Sequence, residues 1–173
     1  MELLDIMLKR RSIREYDGED VADEKVDKIL MAGLLAPTSR NRKPCEFIVV
    51  KDNDMLKRLS HSKSAGSAML ENANCAIVTV ADSDKADTWI EDSSIAMAYM
   101  DLMATSLDVA SCWVQSHLRR TSDDTDSEEY IRGLFDLDDK YRIVGILSLG
   151  LNDNRPPAHT LDEIDKSKIR YVK

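Results

Sequence analysis

The sequence predicts a mixed helix-and-strand fold in which one sheet is covered by helices on both faces. Three observations carry this. The segments at 45–50, 75–81 and 141–149 are apolar at most positions, so neither face of such strands is left to water. Segments with helical spacing are interspersed with them along the chain. The chain has 173 residues with only six glycines and four prolines, which suits one core and no internal linker.

The elements follow in order. Leu3, Ile6 and Met7 at helical spacing predict a short helix over 2–9. RRSIREYDGED loses that period and reads as extended, running into a turn at Asp17-Gly18. A helix starts near Asp23, with Val26, Ile29, Leu30, Gly33 and Leu34 on one stripe, and Pro37 marks its end. CEFIVV (45–50) and CAIVTVA (75–81) are buried strands, with short helices at 54–60 and 66–72 between them. The longest helix spans about 88–108 and carries too little charge to face water on most sides, so its methionines read as core filling. ASCWV (110–114) is a short strand. The acidic run at 122–129 starts a helix, because Asp and Ser cap and acids favour the positive end of the helix dipole. YRIVGILSL (141–149) is the strongest strand, followed by a Pro156-Pro157 loop, a short helical stretch near 160–165 and a final IRYV strand at 169–172.

Composition excludes several classes. A net charge of −8 argues against nucleic acid, which needs a basic face. No apolar run approaches the ~18 residues of a membrane helix. The N-terminal charges follow the apolar stretch instead of preceding it, unlike a secretory signal. Cys45, Cys75 and Cys112 are odd in number and widely spaced. That disfavours a disulfide scaffold or zinc ribbon and suggests a cytoplasmic protein with buried thiols and no metal.

The sequence contains no dinucleotide-binding glycine fingerprint, P-loop, nucleophile elbow or H-E-x-x-H. His61, His117 and His159 stand apart and read as surface or capping residues. Two basic foci remain. In Arg10-Arg11-Ser12-Ile13-Arg14, an extended backbone would put Arg10, Ser12 and Arg14 on one face, with Ile13 opposite. Two guanidiniums and a hydroxyl suit a phosphate or oxyanion, and the span of about 13 Å at ~3.3 Å per residue suits a ligand with a second electron-rich end. The other focus, Ala36-Pro37-Thr38-Ser39-Arg40-Asn41-Arg42-Lys43-Pro44, offers small hydroxyls and an asparagine between two prolines, a set suited to a planar polar ring.

In this order and spacing the segments resemble the nitroreductase family of flavin enzymes. R-R-S-I-R-x-Y is similar to the family's opening motif. A-P-T-S-R-N-R-K-P-C-E-F-I-V-V is similar to its A-P-S-x-x-N-x-Q-P-W-x-F segment. Trp89 to Asp92 leading into the long helix and then Ser111-Cys112-Trp113 resembles its central helix and following strand, and Tyr141–Gly150 its last core strand. Lys43 and Cys45 stand where the family usually has Gln and Trp.

The resemblance implies an α+β fold with a central mixed sheet, one domain over 1–173, and a homodimer holding non-covalent FMN at the interface. Residues from about 151 to 173 would wrap the partner and lend it the final strand. It implies that Arg10 and Ser12 hold the flavin phosphate, that the adjacent Arg11 is also cofactor-binding, and that Arg14 lies by the pyrimidine, where a fixed positive charge stabilises charge near N1. Pro37, Thr38, Ser39 and Asn41 would come from the other subunit, and the backbone of Val114, Gln115 and Ser116 would face N5. Either Arg155 or His159 would complete the phosphate site. The activity implied is ping-pong electron transfer from NADH or NADPH to a nitroaromatic, quinone or similar small acceptor. A non-reductive flavin enzyme on the same fold and a non-enzymatic flavin-binding sensor are the alternatives.

Overall fold

The structure is a computed structural model describing residues 2–173. Its helices are α1 (Leu3–Lys9), α2 (Asp23–Leu34), α3 (Asn53–Ser60), α4 (Trp89–Ser106) and α5 (Ser127–Phe135). Its strands are β1 (Cys45–Val50), β2 (Cys75–Asp82), β3 (Ala110–Gln115) and β4 (Tyr141–Gly150). They form one sheet in the order β1-β2-β4-β3, antiparallel throughout. The parallel pairing that makes the sheet mixed is a single bridge, Ser12 to Ser111, at the β3 edge.

Two apolar layers explain why the strands are apolar on both faces. Cys75, Ile77 and Ala81 of β2 pack with Val26, Ile29, Met97 and Met100 of α2 and α4. Ala76, Val78 and Val80 pack on the other side with Leu56, Leu59, Leu70 and Ile131. All eight residues of β2 are buried. α2 and α4 approach closely at Gly33, where a β-carbon would fall 2.8 Å from Phe47 and 2.9 Å from Met100.

β4 changes face midway. Thr79 pairs with Gly145 but Val80 with Ile143, so Val144 is an extra, bulged residue. Leu147 and Val144 therefore share one layer while Ile146 and Ile143 share the other. The bulge frees the Val144 carbonyl to accept two N–H groups, Ser116 at 2.9 Å and His117 at 3.1 Å, which bends the chain sharply after β3. A β-carbon at Gly145 would fall 2.7 Å from the Val114 carbonyl, so the bend needs glycine there.

Three details differ from expectation. The stretch expected as a helix at 66–72 is a 3-10 turn at Ala68–Asn72. Only the end of the acidic run is helical: Asp126 caps α5 by accepting from Glu129 N–H, and residues 122–125 form the preceding turn. Residues 169–172 form no strand within the chain and are exposed, because no neighbouring strand edge lies beside them. An apolar face also remains uncovered. Leu3, Leu4 and Met7 of α1, Met31 and Leu34 of α2 and Tyr99 of α4 are exposed, and Leu3, Met7 and Tyr99 line a groove of about 350 Å³.

Candidate functional site

The site is built on the outer edge of β3. Ile13 N–H donates to the Ser111 carbonyl at 2.9 Å, which lays the 10–16 segment along that edge. Buried Ile13 and half-buried Tyr16 anchor it, the Tyr16 and Ser148 hydroxyls lying 2.6 Å apart. Burial pushes the Tyr16 hydroxyl well above its ordinary value, so it is a neutral anchor. Backbone direction alternates along a strand. The Ser111 carbonyl turns outward to Ile13 and Ser116 N–H turns inward to Val144, so Gln115 N–H points to the open edge. Of the three residues expected to face N5, Ser116 has its amide committed to Val144. The Gln115 side chain is tied down between Trp113 Nε1–H, which it accepts at 2.9 Å, and the His117 carbonyl, to which it donates at 3.2 Å.

Arg10 and Arg14 go to different neighbours. Arg10 lies 3.5 Å from Asp101 of α4, whose other oxygen accepts from the Ser111 hydroxyl at 2.5 Å. Burial pushes the Asp101 carboxyl up, and the Ser111 and Arg10 contacts only partly offset that. Arg14 donates to the Ser12 carbonyl at 3.3 Å and has no carboxylate partner among the described residues. Arg11 donates to the Pro157 carbonyl at 2.5 Å, and His159 N–H donates to the Leu8 carbonyl at 2.8 Å, so the tail passes beside the basic segment. Arg155 is bound to the Asn152 carbonyl at 2.9 Å and the Asp108 carbonyl at 2.5 Å. The His159 ring bonds Glu163 at 2.7 Å.

The 36–44 loop is held in an unusual conformation. Arg40, Asn41 and Lys43 all have positive φ, at 51°, 55° and 49°. Such residues cost energy unless their surroundings hold them. Here buried Asp92 accepts Ser39 N–H at 2.9 Å and the Thr38 hydroxyl accepts Lys43 N–H at 3.1 Å. Pro37 lies just before this clamp. No hydrogen bond or ion pair joins 37–41 to 10–14 within the chain among the described residues.

Sequence reasoning missed two clusters around the turn after β3. His117, expected at the surface, donates its Nδ1–H to Glu128 at 2.6 Å and meets Trp89 edge to face at 5.1 Å. Glu128 is 2% exposed and also accepts from Arg142 at 2.8 and 2.9 Å and from Ile143 N–H at 2.9 Å. Burial alone would raise its carboxyl, but these donors outweigh burial and hold it below the ordinary value. The second is the pair Lys63 and Arg119, whose loops are joined where Ser64 N–H donates to the Arg120 carbonyl at 2.9 Å. Nothing in HSKSAG or HLRR marks these residues, because their loops meet only after the sheet forms. A concavity of about 760 Å³ lies elsewhere, and its Asp20, Asp23 and Glu71 rim is unsuited to an anionic ligand.

A sequence model described as the nitroreductase family matches residues 7–63 and 55–151. The chain is 33% identical over 166 residues to a protein of Archaeoglobus fulgidus provisionally named NADH dehydrogenase/NAD(P)H nitroreductase, covering 94% of this chain and 92% of that one. It is 32% identical over 91 residues to the FMN reductase of Bacillus subtilis, covering 53% of this chain and 36% of that protein. The solved structure of an FMN-dependent nitroreductase from Clostridium difficile superposes with a TM-score of 0.94 at 41% identity, covering 98% of this chain and 99% of the other. The family match spans most of the chain and agrees with the observed fold, so this protein belongs to the nitroreductase family.

Proposed function

We propose that the chain is an FMN-dependent oxidoreductase, passing reducing equivalents from NADH or NADPH to a nitroaromatic, quinone or similar small acceptor as a homodimer. The observation that carries this is the β3 edge, where a free Gln115 N–H shares the edge with an extended R-x-S-x-R segment that ends in the unpaired Arg14. These residues fit FMN. Basic side chains with a hydroxyl suit its phosphate, and an outward N–H with a separate cation suits its electron-rich ring.

When bound, FMN supplies the electron-carrying chemistry, and the chain supplies position and charge. Arg10, oriented by buried Asp101, would hold the phosphate with Arg11 and Ser12. Arg14 would place a fixed positive charge beside the pyrimidine, where negative charge grows on reduction. Gln115 N–H would donate to the N5 edge. Pro37, Thr38, Ser39 and Asn41 would reach the ring of the partner's site. The clamp on Asp92 and the lack of any bond from that loop to 10–14 support this division. The uncovered apolar face of α1, α2 and α4 supports a partner subunit, since obligate interfaces resemble a cut core.

Acid precipitation should release yellow colour, and the protein should oxidise NAD(P)H faster when an acceptor is added. Colourless protein that cannot be reconstituted with FMN would sink the reading. Deleting 155–173 should lower dimer stability and FMN content together. A truncated protein that stays yellow and dimeric would remove the tail from the site.

A further inference from the structure

Lys63 and Arg119 lie on separate loops that are joined to each other. Ser64 N–H donates to the Arg120 carbonyl at 2.9 Å, linking the loop after α3 to the loop after β3. Gly66, at φ +80°, turns the first loop back on itself. The Lys63 ammonium folds over it, 3.3 Å from where a Gly66 β-carbon would stand. Arg119 is held by its N–H to the Ser116 carbonyl and by its guanidinium to the Leu118 carbonyl, both at 3.0 Å.

Neither cation has an ion-pair partner among the described residues, although the chain carries 32 acidic against 24 basic residues. The neighbouring Arg120 is paired, to Asp124 at 3.4 Å. Burial, and then the like charges of Arg119 and Arg14, push the Lys63 ammonium below its ordinary value. Burial pushes the Cys112 thiol up, so it offers no counter-ion. Leu118 adds an apolar edge. It is 75% exposed, with a φ of 57° that is strained for leucine.

Cations gathered without a counter-charge repel one another and weaken the fold, a cost that an anionic ligand would remove. We propose that Lys63 and Arg119 form a binding site for an anionic group, carboxylate or phosphate, on the molecule that docks against the flavin. It would lie either on the acceptor or at the phosphate that distinguishes NADPH from NADH. The inference rests on the functional reading above for the flavin's position.

Two matched pairs test it on the flavin-loaded protein: p-nitrobenzoate against p-nitrobenzamide by calorimetry, and NADPH against NADH by KM. In the double variant Lys63→Gln/Arg119→Gln the charged member of one pair should weaken on the order of tenfold or more, as expected for lost charge-assisted bonds. Its neutral counterpart should move less than about twofold. Which pair responds identifies the source of the anion. Equal shifts within both pairs overturn the proposal, as does loss of FMN with equal shifts, which would make these residues flavin ligands. If the wild type binds no flavin, the functional reading fails separately. The anion site is then read from the rise in melting temperature that inorganic phosphate produces at constant ionic strength. That rise should be lost in the double variant, and an unchanged rise overturns the proposal.

Discussion

The turn after β3 carries two charged clusters of opposite design. On one side Glu128, Arg142 and His117 are fully paired: every carboxylate oxygen has donors, and Arg142 also lies over Trp89 at 4.7 Å. On the other side Lys63 and Arg119, on loops joined by the Ser64 N–H to Arg120 carbonyl bond, have no carboxylate partner among the described residues. Both are reached from the same seven residues, Gln115 to Thr121. The paired cluster anchors the turn to α5 and β4. The unpaired one lies open, where a ligand can complete it. The lesson is that two charged groups reached from one turn can differ in whether their charges are met within the chain.

Breaking the paired cluster should have the largest effect. Glu128→Ala leaves Arg142 and His117 without their acceptor. It should cost roughly 3 kcal/mol in urea denaturation, the low end for a broken buried pair, because the Arg142 side chain is 34% exposed. A loss below about 1 kcal/mol would mean that the cluster is not an anchor. The same residue sets a pH dependence. Its folded value lies below its unfolded value, so its contribution is present above the ordinary glutamate range of about 4.5 and is lost as pH falls through the lower folded value. Glu128→Gln should flatten the acid limb of the stability curve, and an unchanged limb would assign it to other carboxylates.

The basic segment sharpens the contrast with an intermediate effect. Arg10→Ala should weaken FMN binding on the order of tenfold or more while leaving riboflavin, which lacks the phosphate, nearly unaffected. Arg14→Ala should instead lower the flavin midpoint potential or slow its reduction. Identical effects of both substitutions would refute the division between phosphate and ring. The smallest effect belongs to the unpaired cluster without ligand. Lys63→Gln should stabilise the flavin-free protein by about 0.5 kcal/mol at low salt and by nothing measurable at high salt. Destabilisation there would mean that Lys63 is bound to something in the fold.

The legible parts of this molecule are those where one segment carries its own signal. CEFIVV and YRIVGILSL are readable as strands because both faces are buried, and the 23–34 stripe is readable because one helix face meets the sheet. R-x-S-x-R and the A-P-T-S-R-N loop are readable because chemistry and backbone punctuation lie within a few residues. Asp101 was not legible, since its partners Arg10 and Ser111 lie on two other elements. His117 was misread because a lone histidine carries no sign of the Glu128 and Trp89 that surround it.

The sequence by itself determined the order of elements, the two-sided burial of the sheet and the basic extended segment, because hydrophobic period and local charge act over one element at a time. Only the tertiary structure decided the bulge at Val144, the outward Gln115 N–H and the joining of the Lys63 and Arg119 loops. Each depends on the register of β2, β4 and β3. Register is set by pairing between distant segments, and a slip of one residue would turn every side chain to the other face.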